Sequence, residues 1–319
     1  MAALVRRIEI TFRARVACLS LLLLLLPLTQ AQEGSHGLYA QAASAMLDRS
    51  FPSGKIEYLL LDAQSKQTIA LRWSHSETPI PVGSLLKPFV ALAYGQLHAG
   101  SASSESLLPG KFPVVHCHGR SDGCWRAGGH GSLGLERALA ESCNAYFLAL
   151  ARDISASGSG MDAIDHVSAS YGLPAPPRVG SNANFSGPGA SRMMIGVTPD
   201  WRISPMALAD AYVTLATQSN SVAVNLVLTG MKMAALPGGT AARIGRHPSG
   251  VLAKTGTAPC VQGLERCVAN GDGLVVVLAP AENPRLLLLV RQRGTTGAQT
   301  AEVAGRMLAR LEDAYAPVR

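Results

Sequence analysis

Val82-Gly83-Ser84-Leu85-Leu86-Lys87-Pro88-Phe89 sets a hydroxyl and an amine three residues apart at the head of an apolar run. The run continues through Val90, Ala91, Leu92 and Ala93 without a breaker, which predicts a helix. On a helix, Ser84 and Lys87 share one face, about one turn apart. Pro81 and Gly83 are helix-start punctuation, and Pro88, lacking an N–H, is tolerated in a first turn. The helix is therefore expected to start near Ser84, where the positive end of its dipole acts on the hydroxyl.

A serine hydroxyl is a poor nucleophile until a nearby base takes its proton. Lysine is such a base only as a neutral amine, so its pKa must fall from about 10.4 toward 7, a cost of about 4 kcal/mol. Burial, a helix N-terminus and a second cation all push that way. A lone Ser-x-x-Lys recurs by chance in many chains. It gains meaning only in company with other reactive residues further along the chain.

Two later stretches give it that company. In Glu141-Ser142-Cys143-Asn144, Ser142 and Asn144 face different ways on a continuous helix. They aim at one point only if the helix breaks near Cys143; otherwise they are solvated or capping residues. Ala253-Lys254-Thr255-Gly256-Thr257 ends an apolar run. On a strand, Lys254 and Gly256 share a face and Thr255 takes the other. Gly256 lets another backbone approach, so a peptide could add along this edge. Lys254 offers a cation for a carboxylate, and the same charge would depress the pKa of Lys87. The N–H groups of Thr257 and Ser84 could form an oxyanion hole.

The organisation of the chain fits one assembly. Helical spacing is expected for 37–48, then a hairpin of 55–61 and 68–73 around the polar turn 62–67. Residues 101–131 are Gly- and Ser-rich and read as loop. Helical patterns follow at 133–152, 161–171, 204–218 and 222–233, with 178–200 irregular. Strands are expected at 251–257, 273–279 and 286–291, and a closing helix at 298–314. Strands come first and last and helices fill the middle. The expected fold is α/β (α+β): an antiparallel central sheet covered by the N- and C-terminal helices, with an inserted, mostly helical lobe. The sheet lobe spans 36–82 and 251–319, the helical lobe 84–250, and a cleft is expected at their seam.

The formal charge is +7 over 319 residues. Residues 1–31 contribute +3 of it, through Arg6, Arg7, Arg13 and Arg15 against Glu9, leaving a spread +4 without a Lys/Arg run. Such a surface predicts no nucleic-acid partner. The first 31 residues also read as a signal peptide: a basic stretch, an apolar run from Val16 to Leu28, then Thr29-Gln30-Ala31 as a small-x-small site. Cleavage after Ala31 and export are expected, with membrane association only if the segment is retained. In an oxidising compartment, Cys117 with Cys124 and Cys260 with Cys267 read as two local disulfides. A metal site at Cys117, flanked by His116 and His118, is the competing reading. Cys143 is expected to be buried and free. No metal or cofactor is assigned.

The three motifs, Ser-x-x-Lys, Ser-x-Asn and Lys-Thr-Gly, are together the set of penicillin-recognising serine enzymes. From about residue 36 onward the chain resembles the transpeptidase domain of penicillin-binding proteins, the class B type in particular. Gly83 to Phe89 resembles the nucleophile segment of that family. Gly129-His130-Gly131 leading to Ala140 through Phe147 resembles its second motif, and Ala253 to Ala258 its third. Ile203 to Ala209 is similar to its Pro-containing helix.

The resemblance implies Ser84 as acylated nucleophile, Lys87 as general base and Ser142 as proton relay to the leaving amine. Asn144 would hold the substrate amide. Lys254, Thr255 and Thr257 would hold the terminal carboxylate and line the oxyanion hole, and Gly256 would let the substrate backbone lie close beside them. The implied partners are a D-Ala-D-Ala stem peptide of peptidoglycan and β-lactams. The large N-terminal domain common in class B members is not expected in the stretch before residue 36, and the chain carries Gly273-Leu274 where an aromatic pair is frequent. A serine β-lactamase is the alternative, against which stand Asn144 and the lack of a convincing Glu-x-x-x-Asn segment between 145 and 250. A non-catalytic β-lactam or peptidoglycan sensor is the third reading.

Overall fold

The strand Ile56–Asp62 (β1) is buried on both faces along nearly its whole length, so the chain must supply one layer above it and another below. The computed structural model, which describes residues 37–99, 112–178, 188–217, 221–259 and 271–315, shows both layers. β1 pairs with Thr68–Arg72 (β2) in the expected hairpin. Short strands follow at Ile80–Pro81 (β3), Val115–Cys117 (β4), Gly131–Leu133 (β5) and Arg202–Ile203 (β6). The late strands are Leu252–Ala258 (β7), Asp272–Ala279 (β8) and Leu286–Arg293 (β9). The main sheet runs β2-β1-β9-β8-β7, and every pairing in it is antiparallel. The last strands of the chain therefore pair with the first, as the strand–helix–strand pattern predicts.

Alternation along the strands sorts the two cores. Tyr58, Leu60, Val275, Val277, Leu288 and Val290 turn toward a helix over residues 37–50 (α1) and the closing helix Gly297–Tyr315 (α9). Leu59, Leu61, Val276, Leu278, Leu287 and Leu289 turn toward the helical lobe. That lobe is built from Lys87–Ala99 (α2), Leu135–Ala140 (α3), Asn144–Ala156 (α4), Gly160–Ser170 (α5), Pro188–Met194 (α6), Pro205–Thr217 (α7) and Val222–Ala234 (α8). The strand β4 and the helix α6 fall where the sequence predicts irregular chain, and β5 straddles the end of the expected loop and the start of the helix expected from 133. All three are too short to carry a legible period.

Register has a chemical consequence. Leu59 opposes Leu289, Leu289 opposes Val276, and Val276 opposes Lys254. Directly opposed residues share a face, so this row points Lys254 into the helical lobe. Gly273 accounts for the departure from the aromatic pair. A Cβ there would stand 2.2 Å from Thr300 Oγ1 and 2.4 Å from Thr296 O, because the start of α9 lies on β8.

One buried charge network ties the sheet together. Arg291 reaches Glu57 Oε2 at 3.1 Å and, through Nε, Asp272 Oδ2 at 2.9 Å. Glu57 and Arg291 are each 7% exposed. Removing one partner of such a group strands the others in low dielectric. Arg291→Leu is expected to lower stability by about 3 kcal/mol, read from urea unfolding. A loss below about 1 kcal/mol would show that water screens the carboxylates.

Candidate active site

Ser84 sits in a 3₁₀ turn, Gly83–Leu86, immediately before α2. The N–H of Lys87 donates to Ser84 O, closing the turn. The expected helix thus begins with one tighter turn. Three glycines let other backbones press on it. A Cβ on Gly83, at φ +58°, would lie 2.6 Å from Thr257 O, and one on Gly256 would lie 2.7 Å from Val82 O. A Cβ on Gly196 would lie 2.1 Å from Gly83 O. The nucleophile turn and the strand β7 are therefore in backbone contact.

The break that convergence of Ser142 and Asn144 requires occurs, and it divides the helical pattern expected over 133–152. α3 ends at Ala140, α4 begins at Asn144, and Ser142 between them has φ +51°. Left-handed backbone is costly for a non-glycine residue and persists only where its surroundings enforce it. Here the strain turns Ser142 and Asn144 to one target. Lys87 Nζ donates to Ser142 O at 2.8 Å and Asn144 Oδ1 at 2.6 Å, and lies 3.2 Å from Ser142 Oγ. From the sheet side, Lys254 Nζ lies 2.9 Å from the same Ser142 Oγ and donates to Thr255 O at 2.8 Å. One hydroxyl bridges two amines.

Neither amine is in contact with solvent; both lysines are 0% exposed. Desolvation lowers Lys87 to about 7, partly opposed by any negative charge on Cys143 and Cys124. Lys254 is pushed well below the ordinary lysine range, first by burial and then by the charge of Lys87. A neutral amine has two N–H donors, and the two carbonyl-type acceptors of Lys87 use both. Its lone pair is left for a hydroxyl proton.

Above this buried layer lies a cleft of about 620 Å³, lined by Ser84, Ser142, Asn144, Thr255, Gly256 and Thr257 among others. Among the described residues β7 ends the sheet, so an extended chain can add along its outer edge. Every site residue expected from sequence is at this seam, with the two lysines beneath and the others in the wall. Thr257 Oγ1 accepts from the N–H of Gly297 at 3.1 Å. Two wall residues have no sequence signal. Thr240 bonds Thr255 Oγ1 at 2.7 Å, and Trp125 donates through Nε1 to Glu141 O at 3.1 Å. Both come from irregular segments, and only the fold brings them in.

Cys143 is buried and free as expected, whereas the pairing expected of Cys117 with Cys124 is not found. Cys117 and Cys124 form no bridge; with Cys143 they are free, buried thiols. The sulfurs of Cys117 and Cys124 lie within 4.8 Å of each other, of Cys143 Sγ and of a ring nitrogen of His130. His116 and His118 stay outside this group, their rings tilted against one another with centroids 4.4 Å apart, and His116 Nδ1 lies 3.0 Å from Ser132 Oγ. Cys260 and Cys267 lie outside the described residues. The spacing Cys117-x6-Cys124-x5-His130-x12-Cys143 carries the signal that a reading centred on His116 and His118 passes over.

Comparison with known proteins bears on the same stretch. The family model for the penicillin binding protein transpeptidase domain matches residues 48–311. No curated protein matches the chain by sequence. Among solved structures, the transpeptidase domain of Burkholderia pseudomallei penicillin-binding protein 3 superposes with TM-score 0.63 at 18% identity, over 89% of this chain and 95% of that one. Penicillin-binding protein 2 of Pseudomonas aeruginosa gives 0.65 at 19% identity, over 86% and 73%. Penicillin-binding protein 2 of Helicobacter pylori gives 0.67 at 16% identity, over 86% and 63%. At these identities the likeness is one of fold.

Proposed function

Because the chain belongs to the penicillin-binding protein transpeptidase family, whose members act on cell-wall peptides by way of an acyl-serine, we propose that it is an exported D,D-transpeptidase or D,D-carboxypeptidase of D-Ala-D-Ala stem peptides, acylated by β-lactams at the same serine. The observation that carries this reading is the convergence of Lys87 and Lys254 on Ser142 beneath a cleft walled by Ser84.

In this reading neutral Lys87 takes the proton of Ser84, and Ser84 Oγ attacks the carbonyl of the penultimate D-Ala. The N–H groups of Ser84 and Thr257 hold the oxyanion. Ser142, hydrogen-bonded to both amines, hands a proton to the leaving D-Ala nitrogen, and the C–N bond breaks. Lys254, Thr255 and Thr257 hold the terminal carboxylate, and Asn144 the substrate amide. The ester then passes to an amine, forming a cross-link, or to water, trimming the stem. Residues 1–31, which lie outside the described residues, are the proposed export segment. No helix among the described residues is long and apolar enough to cross a membrane.

Intact-mass measurement of the protein with benzylpenicillin tests this directly. The expected result is one adduct of the full penicillin mass that persists for minutes, together with D-Ala release from a D-Ala-D-Ala peptide. An adduct that turns over within seconds favours the β-lactamase alternative. The absence of both the adduct and D-Ala release would overturn the reading.

A further inference from the structure

Between β4 and the Ser142 break the chain winds a loop that the acyl-serine chemistry does not use. Gly119, Gly123 and Gly129 all have positive φ there. The N–H of Cys124 donates to Gly119 O at 3.0 Å, and that of His130 to Cys117 O at 3.2 Å. The winding brings four soft or borderline donors to one point. His130 Nδ1 lies 3.5 Å from Cys117 Sγ and 3.1 Å from Cys124 Sγ, and Cys124 Sγ lies 4.0 Å from Cys143 Sγ. All four donor atoms lie within 4.8 Å of one another, and all four residues are buried.

We propose that Cys117, Cys124, Cys143 and His130 bind one zinc ion, with His130 ligating through Nδ1. Tetrahedral zinc holds thiolate sulfur at about 2.3 Å and imidazole nitrogen at about 2.0–2.1 Å, which places neighbouring donors about 3.5–3.8 Å apart. The separations here surround those values. A disulfide instead needs sulfurs about 2.05 Å apart. Three thiolates and an imidazole are a donor set that selects zinc, and four protein ligands leave no open position, so the ion is structural. The other ring nitrogen, His130 Nε2, faces Glu141 Oε2 at 3.7 Å. A carboxylate behind the distal nitrogen fixes the tautomer and orientation of a metal-bound histidine. Glu141 is in turn held by Arg137 at 2.9 Å.

The place of the fourth ligand gives the ion its consequence. Cys143 stands between Ser142 and Asn144, so a metal on its sulfur pins the strained break from beneath. Asn144 Nδ2 also donates to Gly123 O at 3.1 Å, inside the same loop. The zinc would clamp the loop 117–130 to the Ser142–Asn144 corner; this positioning role rests on the acyl-serine reading, whereas zinc binding does not.

The test uses the full chain purified without chelator or metal-affinity tag. The expected content is one zinc per chain by plasma emission, with three sulfurs and one nitrogen in the zinc absorption fine structure. Titrating the wild-type protein with a mercurial should release that zinc as thiols are blocked. Cys117→Ser should lose most of the zinc and slow penicillin acylation about 10- to 100-fold. Should the variant fold poorly, the mercurial release on the unaltered chain stands as an independent readout. A chain without stoichiometric zinc, its thiols free or bridged, overturns the site, as does zinc that survives Cys117→Ser together with Cys124→Ser. Zinc lost with acylation unchanged overturns the positioning role alone, and absent acylation with zinc bound counts against the acyl-serine reading instead.

Discussion

Ser84→Ala is expected to abolish covalent labelling by a fluorescent penicillin, a loss of about 10⁴-fold or more, because in the proposed mechanism the ester forms on Ser84 Oγ. The substitution trims one oxygen from a half-buried side chain in a turn held by backbone contacts. Gly83, Gly196 and Gly256, which set those contacts, are untouched. The thermal midpoint should therefore stay within a few degrees of wild type. Gel fluorescence and intact mass read the labelling, and a melting curve reads the fold. A labelled alanine variant that melts normally would move the nucleophile elsewhere.

The second large effect is expected at Lys87. Desolvation lowers its pKa to about 7, so the amine is protonated and inactive as a base below that value and neutral above it. The second-order rate of penicillin acylation should therefore rise with pH through about 7 and then level off. Lys87→Met keeps the apolar stem and removes the base. It should lower acylation by about 10²–10⁴-fold and erase the step near 7. The variant also leaves Ser142 O and Asn144 Oδ1 without the donor they have here. A melting curve therefore accompanies the kinetics, to separate lost chemistry from a displaced corner. If a well-folded variant acylates within tenfold of wild type, the base is another group. Lys254, 2.9 Å from the same Ser142 hydroxyl, is then the first to be tested.

These expectations draw unequally on sequence and structure. The helix at Lys87 is legible because its apolar run is long and its start is marked by Gly83 and Pro88. The hairpin and the late strands are legible because β-branched and leucine runs are bounded by turn residues. The break at Ser142 is readable only as a condition, since Leu135 through Ala156 contains neither Gly nor Pro to mark it. The helix α6 and the strands β4 and β5 span seven, three and three residues, too few for a period to show. Nearness along the chain pairs Cys117 with Cys124, whereas the fold groups them through His130 and Cys143, which lie farther along it.

By itself the sequence determined the class of fold and the three motifs, because periodicity and turn chemistry are local and Ser84, Lys87, Ser142, Asn144 and Lys254 can be recognised by type and spacing. Only the tertiary structure decided which atoms meet. The register of β7 against β8 aims Lys254 into the helical lobe, the positive φ of Ser142 turns two neighbours to one amine, and the winding of 117–130 brings two thiols and an imidazole against Cys143. Each of these depends on contacts between segments distant in the chain, and burial, which sets the charge state of both lysines, exists only once those segments have packed.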